Sequence, residues 1–108
     1  MSKIVVKNTK ILMHKFLLTD DAKTDLDNIW FYIAEDNISA ADKVEDDIIK
    51  AFYNLSENPL IGHSREDLTP RNVRFWSVHS YLIIYDATTE PISIVRVLSG
   101  YRDITSVL

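Results

Sequence analysis

The chain has 108 residues, 46% of them hydrophobic, with two glycines, three prolines and no cysteine. That describes one packed domain with a single core, and it excludes a disordered segment, a disulfide scaffold and any thiolate metal site. The formal net charge of −4 argues against a general grip on nucleic acid, which needs a basic footprint.

The longest apolar runs, such as Tyr81-Leu82-Ile83-Ile84-Tyr85, fall far short of the roughly 20 residues that cross a bilayer. Met1-Ser2-Lys3 leads into only three apolar residues before Lys7 and Asn8, unlike a signal peptide. A soluble, cytoplasmic protein with no membrane association is expected. Charge is unevenly laid out: every lysine lies at or before Lys50, and every arginine (Arg65, Arg71, Arg74, Arg96, Arg102) beyond it. Residues 20–57 are strongly acidic and the part after Pro59 is near balance, so a local arginine patch is compatible with the acidic total.

Residues 1–13 read as an extension. Its Ile4-Val5-Val6 and Ile11-Leu12-Met13 form either two short strands about Asn8-Thr9 or a lead into the next strand; alternatively the domain proper begins at Met13. A single domain is assigned to residues 14–108, opening on a strand at His14–Leu18. Thr19 is the expected N-cap of a first helix, with Asp20 and Asp21 in the first turn where carboxylates suit the helix dipole. Ala22, Leu26, Ile29, Trp30 and Ile33 then recur at helical spacing as one apolar face. The helix fades at Glu35-Asp36-Asn37. Ser39 is expected to cap a second helix with the stripe Ala41, Val44, Ile48, Ala51, Phe52 and Leu55, and with Asp42, Glu45, Asp46 and Lys50 on its opposite, solvated side. Pro59 stops it, because a proline disfavours helical geometry at the preceding Asn58. So short a loop between amphipathic helices makes them an antiparallel hairpin.

Leu60 to Asn72 reads as a polar loop punctuated by Gly62 and Pro70. Three strands follow, at Val73–Val78, Tyr81–Tyr85 and Ile92–Leu98. The turns at His79-Ser80 and Thr88–Pro91 are too short for crossover helices, so these strands form an antiparallel meander. The order β-α-α-β-β-β defines an α+β domain, a helical hairpin packed on an antiparallel sheet. The last two strands are apolar on both faces, whereas a sheet with one wet face alternates. Either a curled small sheet buries both faces of its central strands, or the extension, a second copy or a partner chain covers the second face.

His14, His63 and His79 are scattered without ligand spacing, so no metal is expected, and no nucleophile elbow or glycine-rich phosphate loop occurs. No cofactor is expected. The arginines and aromatics of the sheet half remain. Arg74 and Trp76 lie two apart on one strand and point to one face. Arg96 interrupts the last strand, and Arg102-Asp103 follow Gly100. Arg102-Asp103 is either an ion pair fixing the C-terminal tail or part of a functional cluster; Arg96 either snorkels to an internal carboxylate or joins that cluster.

Several segments resemble the RelE/ParE toxin superfamily. Leu18 to Glu35 looks like the opening strand and helix of ParE-type toxins, Asn58-Pro59-Leu60-Ile61-Gly62 like their post-hairpin turn, and Tyr81 to Tyr85 like their central strand. Arg96-Val97-Leu98-Ser99-Gly100-Tyr101-Arg102-Asp103 is similar to their most recognisable segment, where a histidine commonly stands at Ser99. The resemblance covers residues 14–108. It implies a toxin of a type II toxin–antitoxin module, of the plasmid-stabilisation kind, neutralised by a cognate antitoxin that wraps a flexible segment around it.

The superfamily holds both ribosome-dependent mRNA nucleases and DNA gyrase poisons. The nuclease branch grips the scissile phosphate with basic residues on the sheet, and a tyrosine or histidine near the C-terminus assists proton transfer. Against that pattern Arg74 keeps one basic position. Trp76 and Leu82 stand where others are expected, and Val107 or Leu108 occupies the C-terminal proton-transfer position. One acid-base group is worth roughly 10²–10⁴-fold in rate, so such losses point to the gyrase branch, with no catalytic residues and no sequence-specific nucleic-acid binding. Arg74, Trp76, Arg96, Tyr101 and Arg102 are then the expected target-binding surface. Leu82, Ile84, Val95 and Val97 are assigned either to an antitoxin-facing sheet surface or to the core. The rival readings are an mRNA endonuclease and a non-toxic relic that still binds its antitoxin.

Overall fold

A computed structural model describes residues 15–100 and residue 104. The extension 1–13, the strand start at His14, Tyr101, Arg102, Asp103, Val107 and Leu108 lie outside these described residues. The elements run β1 (Phe16–Leu18), α1 (Asp20–Ala34), α2 (Ile38–Glu57), β2 (His63–Ser64), β3 (Arg74–Val78), β4 (Tyr81–Asp86) and β5 (Ile92–Leu98). Two helices pack on a five-stranded sheet of order β1-β5-β4-β3-β2. The α+β helical hairpin on a sheet is as expected, with two refinements. The sheet is mixed, because β1 lies parallel to β5 in the register Phe16↔Ile92 to Leu18↔Ile94. A short fifth strand, His63–Ser64, pairs antiparallel with β3 inside what the sequence presents as a loop.

Thr19 caps α1, its hydroxyl accepting the Ala22 N–H at 3.0 Å. The cap of α2 is Asn37 rather than Ser39: Asn37 is extended and its side chain accepts the Ala40 N–H at 3.0 Å. Asn and Ser rank equally as caps, so composition alone does not choose between them. A second correction concerns Glu45, which is buried and not on a solvated side. At 100° per residue position 45 falls about 20° beyond Phe52, on the flank of the stripe that faces the core.

The sheet buries both faces. Ile83 and Tyr85 join Phe16, Leu26, Ile48, Phe52, Ile94 and Val97 beneath the helices. Leu82 and Ile84, which alternate with them, pack on the opposite side with Val73, Phe75, Leu98 and Ile104, and Leu68 lies against this second cluster. The chain's own 68–73 segment and Ile104 therefore cover the second face. Opposite the Ile84/Tyr85 step the ladder shifts register, Tyr85 pairing with Ile94 and Ile84 with Arg96, so Val95 is the extra residue of a bulge.

Candidate functional site

The expected surface residues fall in two places. On β3 the Arg74 guanidinium Nη1 donates to the Gly62 carbonyl at 2.8 Å and to that of Leu60 at 3.3 Å, clamping the turn that follows α2. The same turn is held from the other side by Tyr85. Its fully buried hydroxyl donates to the Pro59 carbonyl at 2.6 Å and accepts the Gly62 N–H at 2.8 Å. Burial pushes the Tyr85 phenol up from its ordinary pKa, so it remains an O–H donor. Gly62 is required here by space, since a Cβ would stand 2.6 Å from the Tyr85 ring carbon Cε1.

This clamp sets out a small apolar edge. Trp76 is half-buried and stacks with His63 of β2, ring centroids 6.5 Å apart at an interplanar angle of 16°. Beside them the turn presents Leu60, 71% exposed, and Ile61, 37% exposed. Arg74 and Trp76 do share a face of β3, as two-residue spacing requires.

Arg96 lies elsewhere, on the outer side of β5. Its Nε and Nη2 each donate to an Asp25 oxygen at 2.8 Å, and Asp25 also accepts the Val97 N–H at 2.9 Å. Donating these hydrogen bonds to the Asp25 carboxylate raises the Arg96 pKa further. Of the two readings left open for Arg96, the internal carboxylate is the one observed. The sequence signal for this was Asp25 itself, a carboxylate set on the apolar face between Ala22, Leu26 and Ile29. Leu82 and Ile84 are core, Val97 is core beneath the helices, and Val95 is half-buried against the second cluster. Among the described residues no three His, Asp or Glu side chains gather as metal ligands.

A family model described as the ParE toxin of the type II toxin–antitoxin system parDE matches residues 16–104. The chain belongs to the ParE toxin family. Toxin ParE3 of Caulobacter vibrioides is 29% identical over 97 residues, covering 89% of this chain and 96% of that protein. A solved structure described as the chromosomal ParDE TA system from P. aeruginosa superimposes with a TM-score of 0.67 at 23% identity, over 82% of this chain and 97% of the other. The ParE match starts at β1 and ends at Ile104, so it takes in both core clusters, the Arg74–Gly62–Tyr85 clamp and the Asp25–Arg96 pair. This is a ParE-type toxin of a type II toxin–antitoxin system.

Proposed function

We propose that this ParE-type toxin inhibits DNA gyrase by binding it in the bacterial cytoplasm, without catalysis of its own, and that a cognate antitoxin neutralises it. The commitment of both sheet arginines carries the reading. Arg74 is spent on the carbonyls of Leu60 and Gly62, and Arg96 on Asp25. A ribonuclease needs such groups turned toward a phosphate whose charge develops in the transition state, and turning them here would break the clamp or the ion pair.

The target-binding surface in this reading is the edge carrying Trp76, with Tyr101 and Arg102 contributed by the segment after Gly100. Arg74 and Arg96 hold that edge and β5 in place. Leu82, Ile84 and Val97 are buried within the chain, so the antitoxin meets exposed apolar groups instead: Leu17, Leu60 and Ile61, and Phe31, Tyr32 and Ile38 at the tip of the helical hairpin.

The deciding experiment is a supercoiling assay with purified gyrase, read for trapped DNA cleavage complexes. Stoichiometric inhibition with trapped complexes, reversed by the antitoxin, is the expected result. Unimpaired supercoiling together with transcript cleavage in a translating extract would instead establish the nuclease reading.

A further inference from the structure

The tip of the helical hairpin is apolar where folding does not need it to be. Phe31, Tyr32 and Ile38 are 64%, 74% and 62% exposed. At 100° per residue Phe31 points about 180° away from Ala22, off the stripe that α1 buries. It is nonetheless held in place. Trp30 meets it edge-on, ring centroids 5.4 Å apart, and the Trp30 indole is itself fixed by donating to Asp42 at 2.9 Å. The loop between the helices is bonded too: the Asp36 and Asn37 N–H groups both donate to the Ile33 carbonyl, and Asn37 caps α2. Aromatic side chains already held in one place bind at a lower entropic cost than mobile ones.

Electrostatics specify the occupant. Residues 24–42 contain Asp25, Asp27, Glu35, Asp36 and Asp42 and no lysine, arginine or histidine. Asp25 and Asp42 are engaged by Arg96 and Trp30. The carboxylates of Glu35 and Asp36 make no hydrogen bond or ion pair among the described residues. Both stand at the C-terminal end of α1, whose last turn holds no basic residue. The opposite half-charges of the two helix ends meet across the loop and offset each other, so the carboxylates set the local sign.

We propose that the hairpin tip is the seat of an amphipathic antitoxin segment that carries lysine or arginine beside its apolar side chains; the inference rests on the antitoxin reading above for the identity of the partner. The apolar side chains of that segment cover Phe31, Tyr32 and Ile38, and its basic groups face Glu35 and Asp36. A second copy of this chain would bring like charge to like charge at the tip. The 20 residues of α2 span about 30 Å. The tip and the edge carrying Leu60 and Ile61 therefore lie at opposite ends of that helix, and binding at one can be read apart from binding at the other.

The probe is a short synthetic amphipathic helix of leucine, alanine and lysine, added to the full-length ¹⁵N-labelled chain. Amide shifts are expected at positions 30–38 and not at 60–63 or 74–78, with an affinity that falls as salt rises. Phe31→Ser/Ile38→Ser and Glu35→Gln/Asp36→Asn should each weaken binding at least about tenfold, with unfolding unchanged. Replacing the peptide's lysines by glutamate should abolish binding. Equal binding of the glutamate peptide, shifts centred on the sheet edge, no binding at all, or concentration-dependent broadening at the tip without peptide (the mark of a second copy) would each overturn the proposal. Calorimetry with the antitoxin itself separates this inference from the reading beneath it. Antitoxin should bind Glu35→Lys/Asp36→Lys at least about tenfold more weakly than wild type. Equal affinity for both sinks the basic segment and leaves the antitoxin reading standing, whereas binding to neither sinks the two together.

Discussion

Asp25 secures the outer edge of β5 twice, accepting the Val97 N–H at 2.9 Å and the Arg96 guanidinium at 2.8 Å. Thr19 does the same one step earlier, its hydroxyl donating to the Val95 carbonyl at 2.7 Å while capping α1. β1 ends at Leu18, and its neighbour β5 runs on to Leu98. Side chains from the start of α1 thus take over from the missing strand and satisfy backbone groups that would otherwise be orphaned.

The Asp25–Arg96 pair is partly buried, with side-chain exposures of 12% and 21%. Asp25→Ala strands both the guanidinium and the Val97 N–H, so a loss of about 2–4 kcal/mol is expected. Arg96→Ala leaves the Val97 bond in place and should cost less. A double-mutant cycle by urea denaturation should return a coupling above about 1 kcal/mol. Strictly additive losses would show that the pair is a surface ornament.

Gly62 and Tyr85 make a second such relationship. Gly62→Ala drives a methyl group into the Tyr85 ring, and overpacking of this kind costs about 1–3 kcal/mol. Tyr85→Phe removes the donor to Pro59 and the acceptor for Gly62, for about 1–3 kcal/mol. Because both substitutions break one clamp, thermal unfolding of the double variant should show less than the sum of the single losses. A fully additive double variant would separate the two effects.

Glu45 sets a pH dependence. Burial, then the nearby carboxylates, push its pKa from 4.5 up to about 7. The folded state therefore holds a proton that the unfolded state has released, and stability must fall as pH climbs through this window. The contribution is intact below 4.5, is lost as pH rises through about 7, and changes no further above it. Glu45→Gln should flatten that slope and gain about 1–3 kcal/mol at pH 8. Denaturation midpoints at pH 5 and pH 8 check this; a variant that keeps the wild-type slope assigns it to another group.

The parts of the fold that were legible in the sequence are those governed by local periodicity. The stripes Ala22–Ile33 and Ala41–Leu55 mark the helices, Thr19 marks the first cap, and Ile92–Leu98 is β5 with the expected bounds. The pairing of β1 with β5 joins residues more than seventy positions apart, so no local pattern encodes it. β2 is two exposed residues, too short to carry an alternation. The arginines show the same limit. Arg74 and Arg96 announce a guanidinium in the sequence, but whether it faces a target or a partner 71 positions away depends on the fold. Glu45 was readable and misassigned: its charge suggested solvent, while its helical phase set it beside Phe52 on the flank of the buried stripe.

The apolar edge beside Trp76 separates binding from folding. Leu60 and Ile61 stand largely outside the two core clusters, so replacing both with serine should change stability by no more than about 0.5 kcal/mol. Their backbone still serves the Arg74 clamp, since the acceptor there is the Leu60 carbonyl and not its side chain. If this edge is where gyrase docks, the same pair forms the apolar part of a contact in which a few residues dominate, each worth about 2 kcal/mol or more. Leu60→Ser/Ile61→Ser should then raise the toxin concentration needed for half-inhibition of supercoiling at least about tenfold, with unfolding unchanged. Full potency in this double variant would move the docking surface away from the β2–β3 edge, leaving the exposed Phe31, Tyr32 and Ile38 at the hairpin tip as the next apolar group to substitute.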